Sequence, residues 1–270
     1  MLIEKYNEAH HKIKKKNAEV THDDLERFFA SHDQIEFVSM VGHEMKTSIQ
    51  SILTYSELLQ NTHDDNREEY VKAVLRNALR LKMLASNLAD LTKIDANTLK
   101  LNKKRFDICE LISSLVEDFR NINKHQKSEI EIVVQSPEHV FINADIERIA
   151  QVIVNLLDNA TKFTKKGRIS INLEKTHIKN HILVIVTDTG SGIDDTIKTN
   201  LFNKFVTSSG TGLGLYICKN IIEAHDGKIW AENRKEGIGA VFSFAIPIIQ
   251  NSGPEVNSTK FLNFSNWGIK

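Results

Sequence analysis

The sequence predicts an α+β chain: a helical hairpin that dimerises into a four-helix bundle, followed by an α/β sandwich. Two observations predict this. From residue 22 to about 98, apolar residues recur at steps of three and four, the spacing of helices packed lengthwise against other helices. Beyond Leu99 the pattern turns into alternating strand-like and helical strings joined by short turns, which suits a mixed, largely antiparallel sheet covered by helices. The expected organisation is an N-terminal helical extension (1–30), the hairpin (31–98), the sandwich (99–249) and a flexible Asn-, Ser- and Gly-rich tail (250–270).

Each element has its own local reason. Thr21 with Asp24 three positions on resembles a capping pair and opens a helix running to about residue 62. Along it, Ile35, Val38, Gly42, Met45, Ile49, Ile52, Ser56 and Leu59 form a near-heptad seam. The polar string NTHDDNREE interrupts it. Asp65 and Glu68 are placed to cap a second helix, whose seam is Val71, Val74, Ala78, Leu81, Ala85 and Leu88. Two helices leave apolar surface uncovered, and a symmetric second hairpin covers it. In the second half, CELISSLVEDFRNINKH and DIERIAQVIVNLLDNATKFT read as helices, and EIEIVVQ, VFINAD, RISINLEKT and HILVIVTD as strands. GLGLYICKNIIEAHD then reads as a helix starting near Gly212, and KIWAEN and AVFSFAIPI as closing strands.

Composition narrows the function. Of 270 residues, 41% are hydrophobic, enough for real cores, and 35 Lys+Arg balance 35 Asp+Glu. A zero net charge gives no field that would gather nucleic acid, so recognition falls to a specific partner. The two cysteines, Cys109 and Cys218, lie in helix-like apolar patterns and read as core residues of a reducing compartment. No apolar run approaches the roughly 20 residues of a membrane-spanning helix, and no signal-like segment follows Met1, so the expected location is cytoplasmic.

Three strings carry a nucleotide pocket. In NLLDNATKFT, Asn155, Asn159 and Lys162 fall at i, i+4 and i+7, one helix face on which two amides and an ammonium can meet Mg²⁺ and phosphate oxygens. A merely solvated polar face is the competing reading. DTGSGI follows an apolar strand, placing Asp188 at the strand end, where its carboxylate can accept from an exocyclic amine such as that of adenine; Gly190 and Gly192 permit the tight turn. GTGLGL opens a helix whose first N–H groups can face phosphates. Upstream, a lone histidine, His43, sits in the amphipathic helix FVSMVGHEMKTSIQSILTYSELL. A histidine side chain is partly neutral near pH 7, so one ring nitrogen can attack phosphorus while the other donates its proton. Glu44 is the neighbouring carboxylate that can hold the tautomer.

These strings, in this order, resemble the Bergerat-type nucleotide-binding domain shared by histidine kinases and their ATPase relatives, and LFNKF matches its phenylalanine-containing box. The helix around His43 resembles the phosphoacceptor box of sensor histidine kinases, where H-E-x-x-T precedes an apolar helix. The resemblance covers about residues 35 to 248. It implies ATP and Mg²⁺ as cofactors, Asn159 as the Mg²⁺ ligand, Asn155 and Lys162 on the phosphate side, and Asp188 at adenine. Gly190, Gly192, Gly210, Thr211, Gly212, Leu213 and Gly214 would shape the loops, and Phe202 and Phe205 the base of the lid. It further implies autophosphorylation of His43 in a homodimer and transfer to the receiver domain of a response regulator. Thr47, one turn after His43, matches the residue that positions hydrolytic water for phosphatase activity; a hydroxyl bonding its own helix backbone is the alternative. Input is expected from a separate upstream sensor.

One position separates this chain from the gyrase-like and chaperone-like branches. Where they carry a glutamate general base it has Asn155, and an amide cannot take a proton from water. That weighs against a stand-alone ATPase. Three departures from the kinase pattern are expected to matter. Lys46 replaces the usual arginine and loses bidentate geometry. Ser48 replaces proline and leaves the helix without the usual bend. Only residues 206–209 separate LFNKF from GTGLGL, a short lid. The same departures leave open a nucleotide-sensing scaffold without turnover.

Overall fold

The computed structural model describes residues 22–61, 66–123, 129–176, 180–207 and 210–248. The chain divides into two compact units within its first helix, Met1–Glu44 and Met45–Lys270. The expected tail, Thr21 and Asp65 lie outside the described residues.

Helix α1 (His22–Asn61) is continuous through Ser48, as a serine N–H in place of proline allows. Helix α2 (Arg67–Asp95) follows, its first turn carrying Glu68 and Glu69. Its N-cap residue is Asn66, which makes no side-chain capping bond. The rings of Tyr55 and Tyr70 meet at 5.9 Å across the two helices. The sequence seam is only partly the packed seam of one chain. Phe37, Val41, Ser48, Ala73 and Leu84 are buried, whereas Val38 is 68% exposed, Ile49 46%, Leu53 52% and Val71 50%. Apolar residues left in water at that level sit on a surface that a further helix can cover.

In the second half, β1 (Lys104–Asp107) and β3 (Phe141–Ala144) form a separate antiparallel pair, with α3 (Ile108–Asn123) and β2 (Glu129–Gln135) between them in sequence. Helix α4 (Ile146–Phe163) leads into β4 (Lys166–Thr176) and β5 (His181–Asp188). A short turn of helix α5 (Asp195–Lys198), α6 (Gly214–Ala224), β6 (Lys228–Asn233) and β7 (Ala240–Pro247) complete the domain. The main sheet has the order β2-β4-β5-β7-β6. Its β2–β4 pair is parallel and the other three are antiparallel, which agrees with the mixed sheet expected.

Helices α3, α4 and α6 pack together and onto the sheet. Strand β5 shows why: its burial alternates, so Ile182, Val184 and Val186 lie beneath the helices, each fully buried aliphatic side chain contributing about 2 kcal/mol. The same period of two carries Asp188 onto that buried face. Helix α6 begins at Gly214 with Leu213 as its N-cap residue. Gly212, expected to start the helix, has φ 66°, a left-handed conformation incompatible with a right-handed first turn.

Polar groups fix α4 at its start. The Asp145 carboxylate caps it, accepting from the Glu147 and Arg148 N–H groups. The Asp145 N–H donates to Nε2 of the buried His225, whose Nδ1 donates to the Ile221 carbonyl. From the other side, Asp90 of α2 accepts from Arg148 Nη1 at 2.7 Å and Gln151 Nε2 at 2.8 Å, all but buried at 2% exposure.

Candidate nucleotide site

The face predicted on α4 exists. Asn155 is buried, Asn159 half-buried and Lys162 exposed. Asn155 is wedged toward α6, where its Nδ2 donates to Cys218 Sγ at 3.6 Å, leaving its oxygen as the unused end. The side chain of Asn159 has no hydrogen-bond partner among the described residues, so a half-buried amide stands ready for a ligand, at a cost unless one binds. Lys162 Nζ lies 5.6 Å from the Phe163 ring centre. Between these residues the sequence also places Asp158, whose carboxyl burial pushes up to about 6. It is the acidic residue of NLLDN, at the edge of the face that Asn155, Asn159 and Lys162 share by spacing.

Asp188 is 2% exposed. Its Oδ1 accepts from the Gly190 N–H at 2.8 Å and from the Ala240 N–H at 3.2 Å. Burial raises its carboxyl above the usual range, and these two N–H groups oppose that shift. Oδ2 has no partner among the described residues, the acceptor an exocyclic amine needs. Gly239 makes this possible. A Cβ there would stand 2.0 Å from the Asp188 carbonyl oxygen, so only glycine lets the β7 strand start close enough to donate. Sequence reasoning missed Gly239 and Ala240; the signal was the G-x-G-A string before the last strand.

The glycine-rich segment comes next. Gly210 and Gly212 have φ 91° and 66°. A Cβ on Gly212 would stand 2.6 Å from the Phe205 carbonyl carbon, and the Gly212 carbonyl accepts from the Phe205 N–H at 3.2 Å. Phe205 itself is left-handed, φ 65°, a conformation that costs a bulky residue about 1 kcal/mol or more. The base of the short loop is thereby closed, with Phe202 and Phe205 half-buried at it. Ser208 and Ser209 lie outside the described residues. Thr211 Oγ1 accepts from the buried Leu213's N–H, and Gly214, at the start of α6, lies against the Asn155 side chain, whose Cγ would be 3.8 Å from a Cβ there. Lys204, beside this segment, pairs with Asp95 of α2 at 2.5 Å and lies 5.2 Å from the Tyr216 ring centre.

The structure thus brings Asn155, Asn159, Asp188, Gly190 and Gly214 into one domain. His43 is exposed on α1, one residue beyond Gly42, which is exposed as well; Glu44 is half-buried, and both belong to the first compact unit. Thr47, exposed, belongs to the second, and its carbonyl accepts from Ser51 Oγ at 3.0 Å. No cluster of metal-ligating His, Cys, Asp or Glu occurs among the described residues, so a cation at this site would rely on amide oxygen. No helix among them is long and apolar enough to cross a membrane.

An exposed histidine on α1 and, in the sandwich, a strand-end carboxylate with an amide-bearing helix are the features that the resemblance to a phosphoacceptor helix and a nucleotide-binding domain leads one to expect. The family comparisons agree in both halves. Residues 33–97 match the His Kinase A (phospho-acceptor) domain and residues 144–250 the histidine kinase-, DNA gyrase B- and HSP90-like ATPase. The chain belongs to the sensor histidine kinases. It is 34% identical over 220 residues to the sensor protein KdpD of Clostridium acetobutylicum, a match covering 77% of this chain and 24% of that protein. It spans about a quarter or less of the length of the curated relatives it matches first. Among solved structures, full-length ShkA in complex with AMPPNP has a TM-score of 0.59 at 25% identity, covering 81% of this chain and 47% of ShkA. Histidine kinase ThkA, in its complex with response regulator TrrA, has a TM-score of 0.55 at 28% identity, covering 86% of this chain and 68% of ThkA.

Proposed function

We propose that this chain transfers the γ-phosphoryl group of ATP to His43 and that the group then passes to an aspartate of a separate response regulator. The observation that carries this reading is the amide at position 155. Its nitrogen is turned to Cys218, so the pocket offers no carboxylate base at that position and the nucleophile must bring its own lone pair. His43 does so. One ring nitrogen forms the N–P bond as the bond to the bridging oxygen breaks and ADP leaves, and the proton on the other nitrogen passes to Glu44 or water.

The chain's own residues bind and orient. Asp188 Oδ2 would accept the adenine amine, the N–H groups of the first α6 turn would face the phosphates, and Asn155 Oδ1 and Lys162 would meet their oxygens. Asn159 would hold Mg²⁺, which when bound neutralises charge building on the phosphates; its unpartnered amide fits that task. Phe202 and Phe205 would support the lid. Thr47 would orient the water that attacks the phosphorylated aspartate of the regulator, releasing inorganic phosphate, in the phosphatase reaction. ShkA in complex with AMPPNP supports the nucleotide assignment, and the ThkA–TrrA complex the regulator assignment. The exposed apolar residues of α1 and α2 support a homodimer, with an upstream sensor supplying input and the work done at the cytoplasmic side.

The test is incubation of the purified chain with γ-labelled ATP and Mg²⁺ beside His43→Gln. Acid-labile, base-stable label in the parent and none in the variant is expected. Label of equal amount and stability in both would defeat the proposal.

A further inference from the structure

Two stretches of backbone hold the Asp188 carboxylate, and they are far apart in sequence. Gly190 belongs to the loop after β5, and Ala240 opens β7; both donate to the same oxygen, Oδ1. What ties the stretches together is Asn233, the last residue of β6. Its Oδ1 accepts from the Ile193 N–H at 2.6 Å and its Nδ2 donates to the Ile193 carbonyl at 2.9 Å. A side-chain amide here makes the paired exchange that a strand residue makes with its neighbour. Gly192 lies against it, since a Cβ there would stand 3.0 Å from Asn233 Oδ1.

On its backbone side, Asn233 stands opposite Ala240 in the β6–β7 register. The next N–H, of Arg234, donates to the Gly239 carbonyl at 3.0 Å and closes the turn that delivers Ala240. A third tie holds the loop to the end of α4, where the Ser191 N–H donates to the Phe163 carbonyl at 3.3 Å. Asn233 is therefore the shared support of both donors to Asp188 Oδ1. If one donor drifts, the carboxylate is free to rotate and present its oxygens differently.

We propose that Asn233 is a positioning residue for recognition of the nucleotide base: by bridging the 189–193 loop to the β6–β7 turn it keeps Oδ1 of Asp188 occupied and Oδ2 directed at the exocyclic amine of adenine. The proposal rests on the reading above that this pocket takes ATP. Asn233 touches no reacting atom, so its effect falls on selection of the base and not on phosphoryl transfer itself.

The test is calorimetric titration of the full chain, with Mg²⁺, by ATP and by the triphosphate of purine riboside, which lacks the exocyclic amine. The parent should prefer ATP by about tenfold, the worth of one hydrogen bond to a charged group. Asn233→Ala should reduce that preference to about twofold or less while affinity for the amine-free analogue stays within about twofold and the melting temperature within a few degrees. Asn233→Asp keeps the acceptor for the Ile193 N–H but sets an oxygen against its carbonyl, and should fall between the two. Full ATP preference in either variant, or parallel weakening of both nucleotides with a falling melting temperature, would overturn the proposal. Asp188→Asn serves as the control. If it retains the parent's preference, the nucleotide reading of the pocket fails, whereas loss in Asp188→Asn with none in the Asn233 variants removes only the role of Asn233.

Discussion

The two halves of the molecule differ in how far one chain completes them. Helix α4 of the sandwich buries nine of its 18 residues, and α2 of the hairpin five of its 29. The sandwich helix is capped by a carboxylate, tied by a buried histidine and packed on a sheet; the hairpin leaves Val38, Ile49, Leu53 and Val71 in water. A nucleotide pocket needs preorganised groups and is built on the finished half. The proposed acceptor, His43, needs access to a nucleotide domain and a receiver, and it is exposed on the half that leaves apolar side chains in water.

The sharpest way to break this contrast is at Asp90, where the hairpin's second helix reaches into the sandwich. Asp90→Ala strands the Arg148 guanidinium, which is only partly exposed, and should cost about 3 kcal/mol in urea unfolding. Asp188→Ala acts on the pocket alone. It removes a charged acceptor and leaves the Gly190 and Ala240 N–H groups without a partner, so ATP affinity should fall about fiftyfold in calorimetry, with self-association unchanged. The reverse experiment replaces Leu53 and Val71 with Asp. Self-association measured by sedimentation should weaken about thirtyfold, from apolar area no longer buried between chains, while ATP affinity holds.

Two smaller effects sharpen the contrast. Burial holds His225 below the ordinary histidine value of 6.5, and its Nε2 must stay unprotonated to accept from Asp145. The unfolded chain therefore takes up a proton first as pH falls. Stability from this contact is fully present above about pH 6.5 and is lost on acidification toward the lower folded value. Urea midpoints between pH 7.5 and 5 should fall in the parent and fall less steeply in His225→Gln. In the hairpin, Ser48 Oγ is buried without a hydrogen-bond partner among the described residues. Ser48→Ala should gain about 1 kcal/mol in the same assay, the smallest change and one of opposite sign.

What the sequence made legible follows from range. The α4 helix face and the Asp188 strand end are set by residues within a few positions of one another, and both were legible; the alternating burial of β5 was not, because ILVIV is apolar throughout. The cap of α2 falls at Asn66, one residue past the expected Asp65, and the left-handed φ of Gly212 delays the start of α6 to Gly214, a backbone feature that residue type alone does not dictate. That the hairpin leaves apolar surface uncovered was expected; that Val38, Ile49 and Val71 are the seam positions left exposed was not, because exposed and packed seam positions share the same spacing. Ala240 and Asn233 reach the site only through strand register, 52 residues from Asp188 to Ala240 and 40 from Ile193 to Asn233. The G-x-G-A string marks the turn before β7, but no local pattern says which residue that turn meets at such a distance.

In the proposed reaction, acceptor and nucleotide site are separate parts of the chain. The direct measurement is ATP affinity and acid-labile phosphate on His43→Gln and Asn159→Ala side by side. His43→Gln should bind ATP as tightly as the parent and carry no label, and Asn159→Ala, with its histidine intact, should carry almost none because Mg²⁺-ATP is poorly held. Label on His43→Gln, or parent-level label on Asn159→Ala, would contradict the account.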